Sequence, residues 1–264
     1  MITASIVTYR THPLEVERAL RLASQSAISR LWVIDNGSDP RIRKLCDGTA
    51  PSVCYIASDN VGYGTAHNKA IRAAAAEGSR YHIVMNTDIL YNPADIAKIA
   101  AYMDSDPTIA SVQPCIKSDD GAMQYTVRML PTPMDVFGRR FLPRKWIRRR
   151  DDRYLLKHID HSRPFNAPYH QGSFMFLRMS AVSRIGGFDE RFFLYPEDID
   201  LTRRLHAIGK TMYWPGVEIT HSHQAGSYHS LRLLRIHCVN MAKYFNKWGW
   251  WTDPLRDLYN SSLR

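Results

Sequence analysis

The sequence has no long apolar run, few cysteines, and no internal repeat or low-complexity tract. Apolar runs such as Phe174-Met175-Phe176-Leu177 fall far short of the roughly 18 residues that a membrane-spanning helix needs. The first residues carry neither the basic segment nor the cleavage site of a secretory signal, so we expect a cytoplasmic protein. The cysteines have no CxxC spacing, which favours reduced thiols over a zinc site: Cys46, Cys54, Cys115 and Cys238.

Acidic residues are the minority: 25 Asp and Glu against 35 Lys and Arg give a net charge of +10. This balance suits a polyanionic partner such as nucleic acid, anionic lipid or a phosphate-rich substrate. Part of the excess lies in one short stretch, which is equally typical of a solvated loop: Arg139, Arg140, Arg144, Lys145, Arg148, Arg149 and Arg150. The chain of 264 residues, with 45% hydrophobic residues, is long enough for a substantial core, so extensive disorder is excluded.

Strand and helix patterns alternate over the first 115 residues. Short apolar runs predict strands at 4–9, 31–34, 53–57, 81–85 and 109–113, and the segments between them predict helices at 13–25, 64–77 and 93–103. Such alternation indicates an α/β fold, with a mostly parallel sheet flanked by helices. Ligands of these sheets bind beyond the carboxyl ends of the strands.

The second half of the chain is less regular. Between 121 and 168 the periodicity is lost, and five prolines and the basic stretch fall there. Strands are predicted again at 172–178 and 211–214, with a helix at 197–208 between them. The last segment, 230–248, carries one apolar stripe that predicts a C-terminal amphipathic helix: Leu231, Leu234, Cys238, Met241, Phe245 and Trp248.

Polar residues follow each of the first four predicted strands. They are Thr8-Tyr9-Arg10, Asp35-Asn36, Asp59-Asn60-Val61-Gly62 and Asn86-Thr87-Asp88. Each alone is typical of a helix cap or a turn, but four in register predict one crevice at one edge of the sheet. There Asp35 could accept hydrogen bonds from a nucleobase or a ribose, and Asp88 could hold Mg²⁺ or Mn²⁺ against a diphosphate.

These motifs, in this order, resemble the inverting glycosyltransferases of family 2, which have the GT-A fold. The similarity is greatest to bacterial rhamnosyltransferases of surface-polysaccharide assembly, and the matching stretches span roughly residues 3 to 225. They are Ser5-Ile6-Val7-Thr8-Tyr9, Val33-Ile34-Asp35-Asn36-Gly37-Ser38, Asn60-Val61-Gly62-Tyr63-Gly64 with Asn68, Asn86-Thr87-Asp88, Gly172-Ser173-Phe174, and Gly186-Gly187-Phe188-Asp189-Glu190 running into Glu197-Asp198-Ile199-Asp200-Leu201.

The resemblance implies a division of the chain and a role for each matching residue. It implies a catalytic domain over 1–228, with a nucleotide-binding half (1–115) and an acceptor-binding half (116–228), followed by a helical appendage (229–264). Nucleotide binding is implied for Thr8, Tyr9, Asp35, Asn60, Gly62, Asn86 and Thr87. A divalent cation, Mg²⁺ or Mn²⁺, is implied at Asp88, with Asn in place of the family's first Asp at Asn86. His221 or His223 is implied to complete the metal shell or to contact the diphosphate, and Ser227 to contact phosphate.

The same resemblance assigns Asp198 as the general base and Gln171, Gly172, Ser173 and Glu197 to the donor and acceptor pocket. The residues agree with this, because Glu197-Asp198 opens a predicted helix, whose amide donors would keep Asp198 ionised near neutral pH. A helix N-cap is the simpler reading of Asp198 taken alone.

The resemblance also implies the substrates. The donor is a nucleotide sugar, dTDP-rhamnose first and UDP-sugars next, and the acceptor is a glycan or a polyprenyl-diphosphate-linked saccharide. The C-terminal stripe then has two readings: a helix docked on the sheet, or an interfacial helix that reaches an anionic membrane through Trp248, Trp250 and Trp251 with nearby basic residues.

Two other classes of protein remain as alternatives. A nucleic-acid-binding protein would explain the positive charge, but the sequence has no RNP, KH, zinc-finger or helix-turn-helix signature, and acids at the strand ends would repel phosphate backbones. A catalytically silent sugar-binding relative is disfavoured because Asp88 and Asp198 are both present. We therefore expect an enzyme with a nucleotide-sugar donor and no nucleic-acid partner.

Overall fold

The computed structural model describes residues 1–49, 52–139, 142–222 and 231–263. The strands are β1 (Ile2–Thr8), β2 (Arg30–Asp35), β3 (Val53–Ala57), β4 (Tyr81–Met85), β5 (Ile89–Leu90), β6 (Ile109–Lys117), β7 (Val127–Arg128), β8 (Phe165–Asn166), β9 (Tyr169–His170), β10 (Phe174–Arg178) and β11 (Lys210–His221). The helices are α1 (Pro13–Ser24), α2 (Pro40–Asp47), α3 (Tyr63–Ala76), α4 (Asp95–Ser105), α5 (Arg144–Tyr154), α6 (Met179–Ile185), α7 (Glu197–His206), α8 (Leu231–Trp248) and α9 (Pro254–Ser261), with a π-helical turn at Met134–Gly138.

The strands form one large mixed sheet and one small one. The order in the large sheet is β3-β2-β1-β4-β10-β6-β11-β5, with β8 also paired to β11, and β7 pairs with β9 separately. The four strands from β3 to β4 are parallel, whereas β10 runs antiparallel between β4 and β6. The predicted α/β fold with a mostly parallel, helix-flanked sheet is thus confirmed.

This topology brings two distant parts of the chain to one sheet edge. The carboxyl ends of β1, β2 and β4 share that edge because these strands are parallel. Since β10 is antiparallel, its first residue, Phe174, pairs with Met85 at the end of β4. The segment before β10, residues 171–173, therefore lies beside the segment after β4, residues 86–88.

The middle of the chain is more regular than the sequence indicated. Residues 144–154 of the segment 121–168 form α5, which buries Ile147 and Tyr154. Two buried apolar side chains among many arginines give no apolar stripe, which explains why the periodicity is lost there although a helix forms. The strand predicted at 211–214 is part of one longer strand, β11, which has an irregularity between Trp214 and Glu218.

The C-terminal segment packs against the core. Met241, Tyr244 and Phe245 of α8 are buried in one hydrophobic cluster with Leu130. Farther along, the Asn260 side chain hydrogen-bonds both the N–H and the C=O of Leu130, at 2.9 Å each. Of the two interpretations of the C-terminal helix, docking on the core therefore applies to the second half of α8. The described residues after 230 pack against the rest of the protein.

We expect Asp253→Ala to lower the free energy of unfolding by about 3–5 kcal/mol, because it leaves the buried Arg203 guanidinium without its carboxylate. The two side chains pair at 2.5 and 2.6 Å and are almost fully buried. Chemical denaturation of this variant, beside Asp257→Ala on the exposed side of α9, measures the difference. Equal midpoints for the two variants would contradict this role of the pair.

Candidate active site

The ends of β1 and β2 and the segment after β3 are linked by hydrogen bonds. The Asn36 N–H donates to the Thr8 carbonyl at 2.8 Å, and the Asn36 side-chain amide donates to the Gly62 carbonyl at 3.2 Å. The Gly62 N–H donates to Asn60 Oδ1 at 3.4 Å. Three of the four predicted polar segments thus form one connected wall.

A cavity of about 440 Å³ opens along this wall, within the range of small-molecule sites. Together with Asn36 and Tyr63, four of the residues that the resemblance assigns to nucleotide binding line it: Tyr9, Asn60, Gly62 and Asn86. Cationic side chains line it as well, Arg10 from the loop after β1 and Arg232 from the first turn of α8. The lining also includes apolar side chains on both sides: Val7, Phe193, Leu194, Leu233 and Ile236. The cavity can therefore enclose an apolar ring system and an anionic group together.

Asp35 lies beneath the cavity rather than in its lining. The side chain is buried, and Oδ1 accepts hydrogen bonds from Thr8 Oγ1 at 2.9 Å and from the Gly37 N–H at 3.0 Å. Oδ2 accepts from the Asp39 N–H at 2.6 Å and from Tyr55 Oη at 2.9 Å. These four bonds use the acceptor capacity of a carboxylate. In this structure Asp35 and Thr8 fix the turn that presents Asn36.

Gly62 is required by a close approach of two backbones. It has a positive φ of 93°, and a Cβ there would lie 2.2 Å from the Phe193 carbonyl oxygen. The next N–H, that of Tyr63, donates to the same oxygen at 2.9 Å. Only glycine allows this contact, which anchors the start of α3 at the site.

Tyr63 connects the two halves of the site, a role that the sequence analysis did not assign. Its hydroxyl lies 3.0 Å from Asn86 Oδ1 and 2.7 Å from the Gly172 carbonyl, and its ring packs edge-on against His67. Burial raises the pKa of Tyr63 well above its usual value, and the nearby carboxylates of Glu197, Asp198 and Asp88 raise it further. The hydroxyl therefore stays protonated and serves as a donor.

Asp198 lies at the first turn of α7, facing Gly172. Its Oδ2 accepts from the Gly172 N–H at 2.9 Å and lies 3.4 Å from Tyr169 Oη, and its Oδ1 accepts from the Ile199 N–H at 2.8 Å. Amide donors are present as expected, but burial outweighs them and raises the pKa of Asp198 above the ordinary range. A raised pKa makes the carboxylate a stronger proton acceptor.

Glu197 is more deeply buried than Asp198. Burial, followed by the charge of Asp198, raises the pKa of Glu197 well above its usual value. Its Oε2 and the nearby Ser173 Oγ are buried without hydrogen-bond partners among the described residues. Pairs of carboxyl groups whose surroundings give them different pKa values are typical of acid–base sites.

Arg128 is a second contributor that sequence reasoning missed, because it lies in the stretch without periodicity. Its Nε donates to the Tyr125 carbonyl at 3.0 Å, and its guanidinium lies 5.5 Å from the centre of the Tyr169 ring. The positive charge counteracts the effect of burial and lowers the pKa of Asp198. Arg128 thus helps to keep Asp198 ionised.

Asp88 and His221 lie side by side where β4 and β11 end. His221 Nε2 is 3.4 Å from Asp88 Oδ1, and His221 Nδ1 is 3.1 Å from Gln124 Oε1. Asp88 Oδ1 is buried, and among the described residues the His221 ring is the one potential donor near it, as suits an oxygen available to a cation. Within the described residues no group of three or more potential metal-ligating side chains occurs.

The remaining assigned residues lie around this centre. The Asn86 N–H donates to the Ser173 carbonyl at 2.9 Å, and the Gln171 N–H donates to the Thr126 carbonyl at 2.9 Å. The Thr87 hydroxyl is directed away from the cavity and donates to Glu15 of α1 at 3.2 Å. His223 and Ser227 lie outside the described residues.

An α/β sheet with a ligand-sized cavity at its strand ends, two adjacent acids and a carboxylate–imidazole pair is the arrangement expected of the GT-A fold. The sequence profile of glycosyl transferase family 2 matches residues 4–186, so the chain belongs to that family and is a glycosyltransferase.

Two similar sequences are rhamnosyltransferases. The N-acetylglucosaminyl-diphospho-decaprenol L-rhamnosyltransferase of Mycobacterium tuberculosis is 30% identical over 279 residues, covering 97% of this chain and 88% of that protein. The rhamnosyltransferase WbbL of Escherichia coli is 27% identical over 199 residues, covering 70% of this chain and 69% of that protein. The predicted resemblance to rhamnosyltransferases of family 2 is therefore confirmed.

A solved structure supports the fold. The mannosyltransferase PcManGT of Pyrobaculum calidifontis, in complex with GDP-Man and Mn²⁺, superposes with a TM-score of 0.63 at 18% identity. The match covers 93% of this chain and 64% of that one. At this identity the likeness establishes the GT-A fold alone.

Proposed function

We propose that this glycosyltransferase moves L-rhamnose from dTDP-rhamnose to a hydroxyl of a lipid-diphosphate-linked N-acetylglucosamine in cell-envelope glycan synthesis. The single observation that carries the proposal is the half-buried Asp198 carboxylate, held at the edge of the sheet that also carries the ligand-sized cavity. The similarity to the mycobacterial rhamnosyltransferase over 97% of the chain supports the choice of substrates.

The nucleotide occupies the cavity along β1 and β2. Tyr9 is 44% exposed and can cover a base with its ring, and the amides of Asn36 and Asn60 offer hydrogen bonds to a base or a ribose. Arg10 and Arg232 supply positive charge for the diphosphate. Thr8 and Asp35 contribute by fixing the turn that carries Asn36.

The reaction is a single displacement. Asp198 accepts the proton of the acceptor hydroxyl, whose oxygen attacks the anomeric carbon as the bond from that carbon to the diphosphate oxygen breaks. Attack opposite the leaving group inverts the anomeric centre. The Gly172 N–H and Tyr169 orient the Asp198 carboxylate, and Gln171, Ser173 and Glu197 border the sugar pocket.

Asp88 and His221 fit a divalent cation, Mg²⁺ or Mn²⁺, through one carboxylate oxygen and one imidazole nitrogen. When bound, the ion supplies positive charge that stabilises the departing diphosphate. The Mn²⁺ in the fold relative supports this assignment.

The acceptor places the reaction at a membrane, and we propose peripheral association with the inner face of the plasma membrane. Within the described ranges, no helix is both long and apolar enough to cross a bilayer. Contact with lipid would then be made at the surface of the protein.

A transfer assay tests the proposed substrates. Purified enzyme is incubated with Mn²⁺, a polyprenyl-diphosphate N-acetylglucosamine and, in turn, dTDP-rhamnose, UDP-glucose and UDP-N-acetylglucosamine. We expect a labelled lipid product with dTDP-rhamnose. A product only with a UDP-sugar would replace the donor and keep the chemistry, whereas no product with any donor would refute the function.

We expect activity to rise with pH through the raised pKa of Asp198, because only the ionised carboxylate accepts the proton. In Arg128→Met the cation that lowers this pKa is lost, so the acidic limb of kcat/KM moves to higher pH. Arg163→Met, on an exposed loop, serves as the control. An acidic limb that does not move in Arg128→Met contradicts this electrostatic role.

We expect Tyr63→Phe to lower kcat by about tenfold while nucleotide affinity stays nearly constant, because the variant loses the hydrogen bonding that joins Asn86 to Gly172. Steady-state kinetics and a nucleotide titration measure the two quantities. Tyr102→Phe, on α4 and outside the site, is the matched control. Wild-type kcat in Tyr63→Phe would show that this connection is not needed for transfer.

A further inference from the structure

Around helix α5 the structure has an exposed surface that combines apolar and cationic side chains. The α5 patch consists of three exposed apolar side chains, Met134, Leu142 and Trp146, and four exposed cations, Lys145, Arg148, Arg149 and Arg153. Trp146 is 71% exposed, an unusual position for so large an apolar side chain. Met134 and Leu142 lie close together, because side-chain atoms of both approach the place that a Cβ atom on Gly138 would occupy.

The cations of the α5 patch are available to a partner. Among the described residues none of the four forms an ion pair, whereas the acids of the same helix are already paired. Asp151 pairs with Arg139 at 2.6 Å, and Asp152 pairs with Lys157 at 2.8 Å. The inward side of α5 is fixed to the core by Ile147 and Tyr154, so the patch is held in place by packing.

We propose that the α5 patch is the surface by which this enzyme docks on an anionic lipid bilayer. Tryptophan beside lysine and arginine is the composition that binds the headgroup layer, where the ring inserts and the cations meet lipid phosphates. This inference deepens the proposed function by naming the surface that faces the membrane of the lipid-linked acceptor.

Other occupants fit the patch less well. A nucleic-acid backbone would satisfy the cations but would leave Met134 and Leu142 in water. A second copy of the chain, related by a two-fold axis, would place the four cations opposite four like charges. A bilayer with anionic headgroups satisfies both the apolar and the charged side chains.

The C-terminal helix, the other basic and tryptophan-rich segment, is less suited to lipid. Lys247 of α8 pairs with Asp189 at 2.7 Å and with Asp200 at 2.6 Å, and Lys243 donates to the Arg191 carbonyl at 3.1 Å. The indole N–H of Trp248 donates to Asp200 at 2.8 Å. The charges of Lys243 and Lys247 and the Trp248 indole are thus used within the protein, whereas Arg232, Arg235 and Trp251 are exposed.

The position of α5 also suits delivery of the acceptor. Its 11 residues span about 16 Å. At its end the Tyr154 carbonyl accepts the Met129 N–H at 3.1 Å, and the neighbouring Arg128 acts on the base Asp198. A lipid-linked acceptor held at the α5 patch would therefore have its sugar directed towards the Tyr154 end of α5, which lies near Arg128.

Sedimentation with vesicles tests the proposal. The full chain is mixed with vesicles of phosphatidylcholine alone or with 30% phosphatidylglycerol, and we expect binding mainly to the second kind. Arg148→Glu/Arg149→Glu should weaken binding at least about thirtyfold, and Trp146→Ser about tenfold. The control Arg43→Glu/Lys44→Glu makes the same change of charge on exposed α2 residues and should bind like the wild type.

The outcomes separate docking from catalysis. Binding that is lost in Trp251→Ser but kept in Trp146→Ser would overturn the proposal in favour of the C-terminal segment, as would equal losses in the α2 and α5 charge variants. The α5 variants should transfer sugar to a short-chain, water-soluble acceptor at the wild-type rate. Vesicle binding without any transfer would refute the proposed function and leave the docking surface intact.

Discussion

We expect Asp198→Asn to reduce transfer by about a thousandfold, within the range that a general base contributes. The amide has nearly the shape of the carboxylate, and it keeps an oxygen that can accept the Gly172 N–H, but it cannot take the acceptor proton. The dissociation constant of the nucleotide stays within about twofold, because Asp198 lies outside the residues that line the cavity. Single-turnover kinetics with a labelled donor, together with calorimetric titration of the nucleotide, separate the two quantities.

A second variant, Glu197→Gln, tests which of the two adjacent carboxyl groups is the base. Because burial raises the pKa of Glu197 and so favours its protonated form, we expect the neutral amide to lower transfer by less than about tenfold. Asp160→Asn, on the exposed loop before β8, controls for the loss of one negative charge. If Glu197→Gln were the inactive variant and Asp198→Asn the active one, the roles of the two carboxyl groups would have to be exchanged.

Asp88→Ala removes the metal-dependent part of nucleotide binding, which we expect to amount to about a hundredfold in affinity. In the wild type, Mn²⁺ should tighten the binding of a nucleoside diphosphate, since Asp88 would hold the ion and the ion would supply positive charge to the phosphates. In Asp88→Ala the affinity with Mn²⁺ should fall to the affinity without it. Titrations with and without Mn²⁺ give both values for each protein.

His221→Ala should lose a smaller part of the same effect, because the carboxylate remains. Asp47→Ala, on α2, is the control, and its titrations should match those of the wild type. If Mn²⁺ still increased the nucleotide affinity of Asp88→Ala as in the wild type, Asp88 and His221 would not be the metal ligands. It would leave the assignment of Asp198 untouched.

The first half of the fold could be predicted from the sequence because its longer strands are short, mostly apolar runs separated by helical segments. β4 (Tyr81–Met85) is buried throughout, and it lies where the apolar run predicted a strand. The antiparallel β10 could be recognised as a strand but not oriented, because strand direction depends on the connections. That direction is what brings Gly172 next to Asn86.

The parts that the sequence did not reveal depend on contacts between distant residues. Asp35 follows a strand as expected, but only the structure shows that neighbouring donors bond both its oxygens. Tyr63 belongs to a recognised motif, yet its contact with Gly172 spans 109 residues. The raised pKa of Asp198 results from burial, which exceeds the local effect of the helix amides that the sequence did indicate.

Helix α5 escaped prediction for a different reason. Arginine favours helices, but a helix is recognised in a sequence by its apolar stripe, and α5 buries only Ile147 and Tyr154 of its apolar side chains. The exposed Trp146 breaks the pattern further. The arginines and the exposed Trp146, which obscure the helical pattern in the sequence, are also what make α5 a candidate for contact with lipid.

The stereochemistry of the product tests the central claim most directly. A carboxylate on one side of the sugar and a departing diphosphate on the other require the product of dTDP-rhamnose to have the anomeric configuration opposite to that of the donor. Proton NMR of the purified rhamnosylated acceptor reports this configuration from the one-bond carbon–hydrogen coupling. We expect complete inversion; a product that retains the donor's configuration would contradict a single displacement assisted by Asp198.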